Sequence, residues 1–292
     1  MATGIEINRS NIELPNDIAA EILQKTQEGS AVMQLARQIA LPGRGLSIPV
    51  ITSDPEAEWV DETDNKPVSN PGLDSKTMRG YKLAVIVPFS NQFRRDAAAL
   101  YDALVERLPG VLGAKFDSTV FGATDAPGDD FDTFASVNAH SLASDVYQGL
   151  VDADTDIALN GGITNGYVIS PQGKGILLGA TDENGRPLFI NNVAEGAVPM
   201  ILGSRVQLSK GAYVAGSPST VGFAGDWTKA LYGIVEGVDI TFSSDASLTL
   251  ANGTTINLFQ RNMFAVRAEI EVGFVADTSV FTKITASSVP SF

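Results

Sequence analysis

The sequence predicts a mixed α+β fold, and three stretches carry that reading. Asn91–Thr124 holds the longest helical pattern in the chain, Val266–Phe274 alternates as a half-buried strand does, and Arg44–Ser90 places two alternating runs on either side of a polar span. In the helical stretch, Ala97, Leu100, Tyr101, Leu104, Leu108, Val111, Leu112, Phe116, Val120 and Phe121 recur mostly three or four residues apart. They form one apolar stripe on a 3.6-residue period. Asp102, Glu106, Arg107, Lys115 and Asp117 fall off the stripe. A helix of about thirty residues spans roughly 45 Å, so it acts as a strut. Pro109-Gly110 interrupts it. Proline removes a backbone bond and clashes with the preceding turn, which predicts a kink near Arg107 or two stacked segments. Gly122 and Pro127-Gly128 end the pattern.

Composition bounds the remainder. The 292 residues suffice for one large domain or two ordinary ones, and 44% hydrophobic residues supply a core. The chain has no cysteine, which excludes disulfides and thiolate metal sites and suits a reducing compartment. No apolar run reaches the length of about 18 residues that a membrane span needs, so no transmembrane helix is expected, and no membrane is among the expected partners. The opening MATGIEINRS lacks the basic-then-apolar build of a signal peptide. A net charge of −14 argues against gripping nucleic acid through the bulk surface, because phosphate contacts need clustered Lys and Arg.

In chain order, Met1–Glu13 lacks a period and reads as a flexible arm. Pro15 leads into a helix over Asn16–Glu28, with Ile18, Ile22 and Leu23 on one face and Gly29 as its stop. A short apolar segment follows over Ala31–Leu41. Leu46, Ile48 and Val50 alternate as a strand, Glu58-Trp59-Val60 is a second strand candidate, and Tyr81, Leu83, Val85 and Val87 form a third around the polar span Asp61–Arg79. The simplest reading is a long two-stranded ribbon with a polar tip. Such a ribbon is marginal alone, so it either joins a sheet of its own domain or lies on a neighbouring copy.

Beyond the strut, Pro127–Thr133 is a loop with Asp129, Asp130 and Asp132, and a helix is expected over Ser141–Ala153. Gly166–Ser170 is a buried-type strand, Pro171 opens a helix, and Asp182–Gly185 is a turn. Val198–Ser217 reads as strands broken by Gly203, Gly211 and Gly216. Thr220–Ser243 holds two strands around Gly225-Asp226-Trp227, and Ala251-Asn252-Gly253 is a hairpin turn. In the last long strand Val266, Ala268, Ile270, Val272 and Phe274 alternate with Arg267, Glu269, Glu271 and Gly273, as expected of a half-buried antiparallel strand. Val280, Phe281 and Ile284 precede a polar tail.

No catalytic constellation survives inspection. The lone histidine, His140, has no G-x-S-x-G serine to serve and reads as a capping or surface residue. Asp152, Asp154 and Asp156 open like a calcium loop, but Ile157 and Ile163 stand where Gly and Glu are required, so they read as a solvated acidic turn. Gly173-Lys174-Gly175 and Gly43-Arg44-Gly45 are incomplete phosphate loops, explained as turns. Trp59 and Trp227 read as packing anchors. No metal or cofactor is implied.

The order of these pieces resembles the major capsid proteins of tailed bacteriophages, the Hong Kong 97-type shell family. The stretches that carry the resemblance are AEWVDETDNKPVS, KLAVIVPFS before the strut, GDWTKALYGIVEGVDITFS and NLFQRNMFAVRAEIEVGFVADTSVF, and the likeness covers nearly the whole chain. The resemblance implies an N-terminal arm over 1–43, an extended hairpin or E-loop over 44–91, a peripheral P domain over 92–125 and 239–292 with the spine helix, and an axial A domain over 126–238. It places the hairpin on the adjacent subunit. It implies a structural protein whose copies form the hexamers and pentamers of an icosahedral shell around double-stranded DNA. That shell is expected in the virion after assembly in the bacterial host cytoplasm. Portal, maturation protease, decoration and scaffolding proteins are the expected partners. The chain begins almost at the arm, and Met1 favours a full-length product with a separate scaffold or none. A strongly basic inner wall would grip the DNA, so the acidic charge suits the role.

The resemblance also implies inter-subunit contacts at Arg44, Trp59, Lys66, Arg79, Lys82, Arg94 and Arg95, the cations meeting acidic neighbours. Some shells of the family cross-link a Lys to an Asn with a Glu as base; the matching positions are Lys66, Asn262 and Glu269. Arg267, on the face of Glu269, is expected to weaken that base. An encapsulin-like nanocompartment shares the implied fold, although the irregular N-terminus and long ribbon favour the phage shell. A soluble α+β enzyme or adhesin is the remaining alternative.

Overall fold

The computed structural model describes residues 16–53, 59–60, 72–92, 97–182, 184–189, 200–250 and 252–286. The arm expected over Met1–Glu13 and the polar tail lie outside them. Contacts divide the chain into two units, the first comprising Met1–Ser30, Lys82–Gly113 and Glu236–Glu271, the second Ala31–Tyr81, Ala114–Val235 and Val272–Phe292.

The strut is one continuous helix, α3 (Ala97–Val120), which passes through both units with Pro109 inside it. The two-segment alternative is thereby excluded. In the first unit, α1 (Asn16–Gly29) and the Leu108–Leu112 turn of α3 pack against strands that stand in the order β10 (Ala230–Ser243), β13 (Met263–Ala276), β4 (Tyr81–Ser90). Ile22, Leu108 and Leu112 meet Val238, Phe264, Val266, Ala268 and Ile270 in its core, with Leu83, Val85, Val87 and Phe89 against them. Phe264 stacks on Phe89 at 5.7 Å and on Phe242 at 6.4 Å.

The second unit is built on a six-stranded sheet in the order β5 (Asn138–Ser141), β14 (Phe281–Ala286), β9 (Ser219–Gly225), β6 (Gly166–Ile169), β8 (Ser204–Leu208), β7 (Met200–Ile201). β14 runs parallel to β5 and antiparallel to β9, and β6 runs antiparallel to β9 and parallel to β8. Every residue of β6 and β9 is buried, as central strands covered on both faces must be. Phe134 stands at the centre of an aromatic cluster, stacked on Phe281 at 4.3 Å and within 6.1 Å of Phe223, Phe274 and Trp227. Trp227 is buried and donates its indole N–H to the Gly166 carbonyl at 3.0 Å, so it is the packing anchor expected.

Helix α4 (Val146–Leu159) starts later than the sequence predicts. Ser141 closes β5 instead, and Asp145 caps the helix by accepting the Tyr147 and Gln148 amides. Asp152, Asp154 and Asp156 consequently stand on α4 and not in a turn. Helix α5 (Pro171–Gly179) opens as expected, with Ser170 accepting the Gly173 amide and Pro171 in the first turn. The apolar segment after α1 splits into α2 (Ala31–Leu35) and β1 (Arg37–Ala40), and β1 pairs in parallel with the start of β10.

Two sequence expectations are overturned by packing. Asp117 falls outside the apolar stripe of α3 yet is fully buried, because its carboxylate accepts the Ala31 and Val32 amides and the Ser209 hydroxyl. The ribbon also has another return strand: β2 (Leu46–Ser53) pairs antiparallel with β3 (Gly72–Met78), inside the span expected to be a polar tip. Tyr81–Val87, expected as that return strand, belongs to β4. Its apolar alternation needs a core, which the first unit supplies, whereas the polar β3 is held by backbone bonds to β2. Trp59 and Val60 are not in a strand, and Glu58 lies outside the described residues.

Candidate functional site

Within the second unit, the root of the β2–β3 ribbon is fastened by charge and by close packing to the Asp130–Asp132 loop and the end of β13. Lys76 donates to Asp132 at 3.0 Å and to the Ala276 carbonyl at 2.9 Å, while the same Asp132 oxygen accepts the Ala276 amide at 2.9 Å. Arg79 lies 3.1 Å from Asp130. Met78, fully buried, packs with Leu41 and Val275. At Gly273 a Cβ would run into the Arg79 carbonyl, so only glycine lets β13 pass this close. The sequence displays the acidic loop and the two cations, but nothing in their spacing shows that they meet across more than fifty residues.

At the far end of that ribbon, Trp59 is fully exposed at 104% relative accessibility. Arg44 is exposed in the turn leading into β2. Lys66, Arg94 and Arg95 lie outside the described residues.

In the first unit Lys82 lies 2.7 Å from Glu269, and Arg267 lies 3.7 Å from the other oxygen of the same carboxylate. The hydrogen bond from Lys82 holds the Glu269 carboxyl below its ordinary range, and the charges of Lys82 and Arg267 act the same way. The Lys82 ammonium is raised in return, first by that hydrogen bond. Asn262, exposed and with φ 52°, accepts a hydrogen bond from the Asn91 amide side chain at 2.7 Å. Its carbonyl accepts the Asn91 backbone amide at 3.1 Å. Seven residue steps along extended chain put Glu269 roughly 23 Å from Asn262, so one copy does not bring the two together. Arg79 and Lys82 thus each have a carboxylate partner within their own chain.

His140 is not a cap. It lies on β5, mostly buried, and its Nε2 is 2.9 Å from Asp156, which also accepts from Asn138. The His140 hydrogen bond, followed by that from Asn138, lowers the Asp156 pKa against the effect of burial. The pair ties α4 to the sheet edge. Among the described residues, no group of three or more His, Cys, Asp or Glu is placed to hold a metal ion, and no helix is long and apolar enough to cross a membrane.

The model of the phage capsid family matches residues 12–285. The chain belongs to the phage capsid family. Among relatives of this capsid protein, the probable major capsid protein of Mycobacterium phage D29 is 27% identical over 284 residues, covering 91% of this chain and 88% of that one. The major capsid protein of Staphylococcus phage 80alpha is 23% identical, covering 93% and 84%. Solved structures from Gordonia phage Cozz and Microbacterium phage Oxtober96 share the fold with TM-scores of 0.70 and 0.71, each at 20% identity. The first covers 89% of this chain and 87% of that chain, the second 98% and 96%. The mixed helix-and-sheet fold is therefore that of phage capsid structures, and the chain is a major capsid protein, a structural component of the virion shell. Neither the nanocompartment nor the enzyme or adhesin reading is favoured by these matches.

Proposed function

We propose that copies of this capsid protein close into an icosahedral shell of hexamers and pentamers with the Hong Kong 97-type fold. The shell encloses the packaged double-stranded DNA of a tailed phage and assembles in the host cytoplasm, where scaffolding, portal, protease and decoration proteins act on it. The observation that carries this reading is the ribbon: its root is fastened by Lys76, Asp132, Arg79 and Asp130, while Trp59 finds no cover on its own chain. A large aromatic left bare by one copy is suited to burial by another. The corresponding domain division is an arm over 1–43, an E-loop over 44–91, a P domain over 92–125 and 239–292, and an A domain over 126–238. Surface ion pairs such as those of Arg44, Arg94 and Arg95 give only about 0–1 kcal/mol each, so apolar contact repeated many times supplies the strength. Electron microscopy of the purified protein tests the proposal. Closed shells are expected; a dispersed single copy of 30.7 kDa at high concentration overturns it.

A covalent version adds a bond between Lys66 of one copy and Asn262 of another, with Glu269 as base. The exposed, turn-fixed position of Asn262 supports it. The neutral Lys66 amine would attack the Asn262 side-chain carbonyl, Glu269 would take a proton from the attacking nitrogen and pass it to the amide nitrogen, and the C–N bond of the Asn side chain would break to release ammonia. Arg267 and Lys82 weaken that base by favouring its charged form. Boiling shells in detergent decides: a ladder of multiples that Lys66→Ala abolishes supports the bond, and a single band rejects it.

A further inference from the structure

Within the second unit, β1, the ribbon root and the neighbouring parts of β10 and β13 line a cavity of about 320 Å³. Ile48, Leu231 and Val275 contribute apolar surface, and Arg37, Lys76 and Lys229 contribute three cations. Lys76 is engaged with Asp132, whereas Arg37 and Lys229 are exposed and have no ion-pair partner among the described residues. Asp277, which also lines the cavity, accepts hydrogen bonds from the Ser279 amide and hydroxyl. In a chain of net charge −14, Arg37 and Lys229 beside this apolar hollow make a local positive surface.

The same sequence contains their chemical complement. Residues 54–64, DPEAEWVDETD, carry six carboxylates and no cation, with Trp59-Val60 in the middle. Trp59 is bare, so this chain's own cavity does not hold it. We infer that the cavity receives the acidic, Trp59-centred segment of a neighbouring copy. The inference rests on the assembly reading above and assigns the surface on which the ribbon lands. Opposite charge steers the segment and fixes its register, and burial of the indole anchors it.

Charge reversal tests this on the full chain. Arg37→Glu/Lys229→Glu is expected to cut the yield of closed shells about ten-fold, and Glu56→Lys/Glu58→Lys to do the same. The four changes combined are expected to restore assembly. Circular dichroism of each variant establishes that it is folded. Wild-type yield from Arg37→Glu/Lys229→Glu overturns the inference, as does a loss that the tip reversal fails to restore; in both cases the assembly reading stands. Wild-type chains that form no shells defeat the assembly reading itself. Trp59 fluorescence in a Trp227→Phe background gives a second measurement that needs no charge change. Its emission is expected to shift to shorter wavelength when shells form. Intact shells in which Trp59 keeps the emission of an exposed indole overturn the inference, and if Lys229 is then protected from acylation the cavity has another occupant.

Discussion

Asp117 holds Ala31. The carboxylate accepts the Ala31 amide at 3.0 Å, and it also accepts the Val32 amide at 3.3 Å and the Ser209 hydroxyl at 2.7 Å. A buried charge on the long helix thus caps the start of α2 and ties down the segment after β8, satisfying amides that a five-residue helix cannot satisfy itself. Asp117→Ala removes the acceptor from three donors at once and is expected to cost about 2–4 kcal/mol in denaturant unfolding. Asp117→Asn, which keeps one carbonyl oxygen, is expected to cost less.

The Lys82–Glu269 pair makes stability depend on pH in a defined direction. The Glu269 pKa is lowered from its ordinary 4.5, so its contribution is present above that value and is lost as pH falls through the folded value. The Lys82 pKa is raised from 10.5, so its contribution is present below that value and is lost as pH rises through the folded value. The stability difference between wild type and Lys82→Met, from unfolding curves, is therefore expected to be flat from about pH 6 to 9 and to shrink in acid and in strong base.

The His140–Asp156 tie has a spectroscopic signature. The Asp156 carboxyl is expected to titrate below the ordinary carboxylate range in a carbon NMR titration, chiefly because His140 hydrogen-bonds its charged form. His140→Ala is expected to move that titration upward, with the Asn138 hydrogen bond leaving part of the shift in place. An unmoved titration would show that the histidine does not act on it.

Gly273 sets how closely β13 passes the ribbon root. In Gly273→Ala the added carbon meets the Arg79 carbonyl, which cannot swing aside as a side chain would, and lies 3.0 Å from Met78 Cγ. The expected loss is about 1–3 kcal/mol in thermal or denaturant unfolding. Fewer closed shells are expected as well, because the ribbon's direction is set at this point.

The local patterns were legible in the sequence alone. The helical stripe of Leu108, Leu112, Phe116 and Val120, the buried strand at Gly166–Ile169, the long alternation from Val266 to Phe274 and the turn at Gly253 all follow from the backbone's own periods and from glycine's tolerance of positive φ. The order of those pieces also pointed to the family. Pairing between distant segments was decided by tertiary structure. The choice of β3 over β4 as the partner of β2, the burial of Asp117, the seating of His140 on β5 and the meeting of Lys76 with Asp132 each depend on segments far apart in the chain. Periodicity records which face of an element is apolar, but it holds no information about which remote amide or carboxylate will arrive beside a given charge. That is fixed only when the core closes and every buried polar group must find a partner.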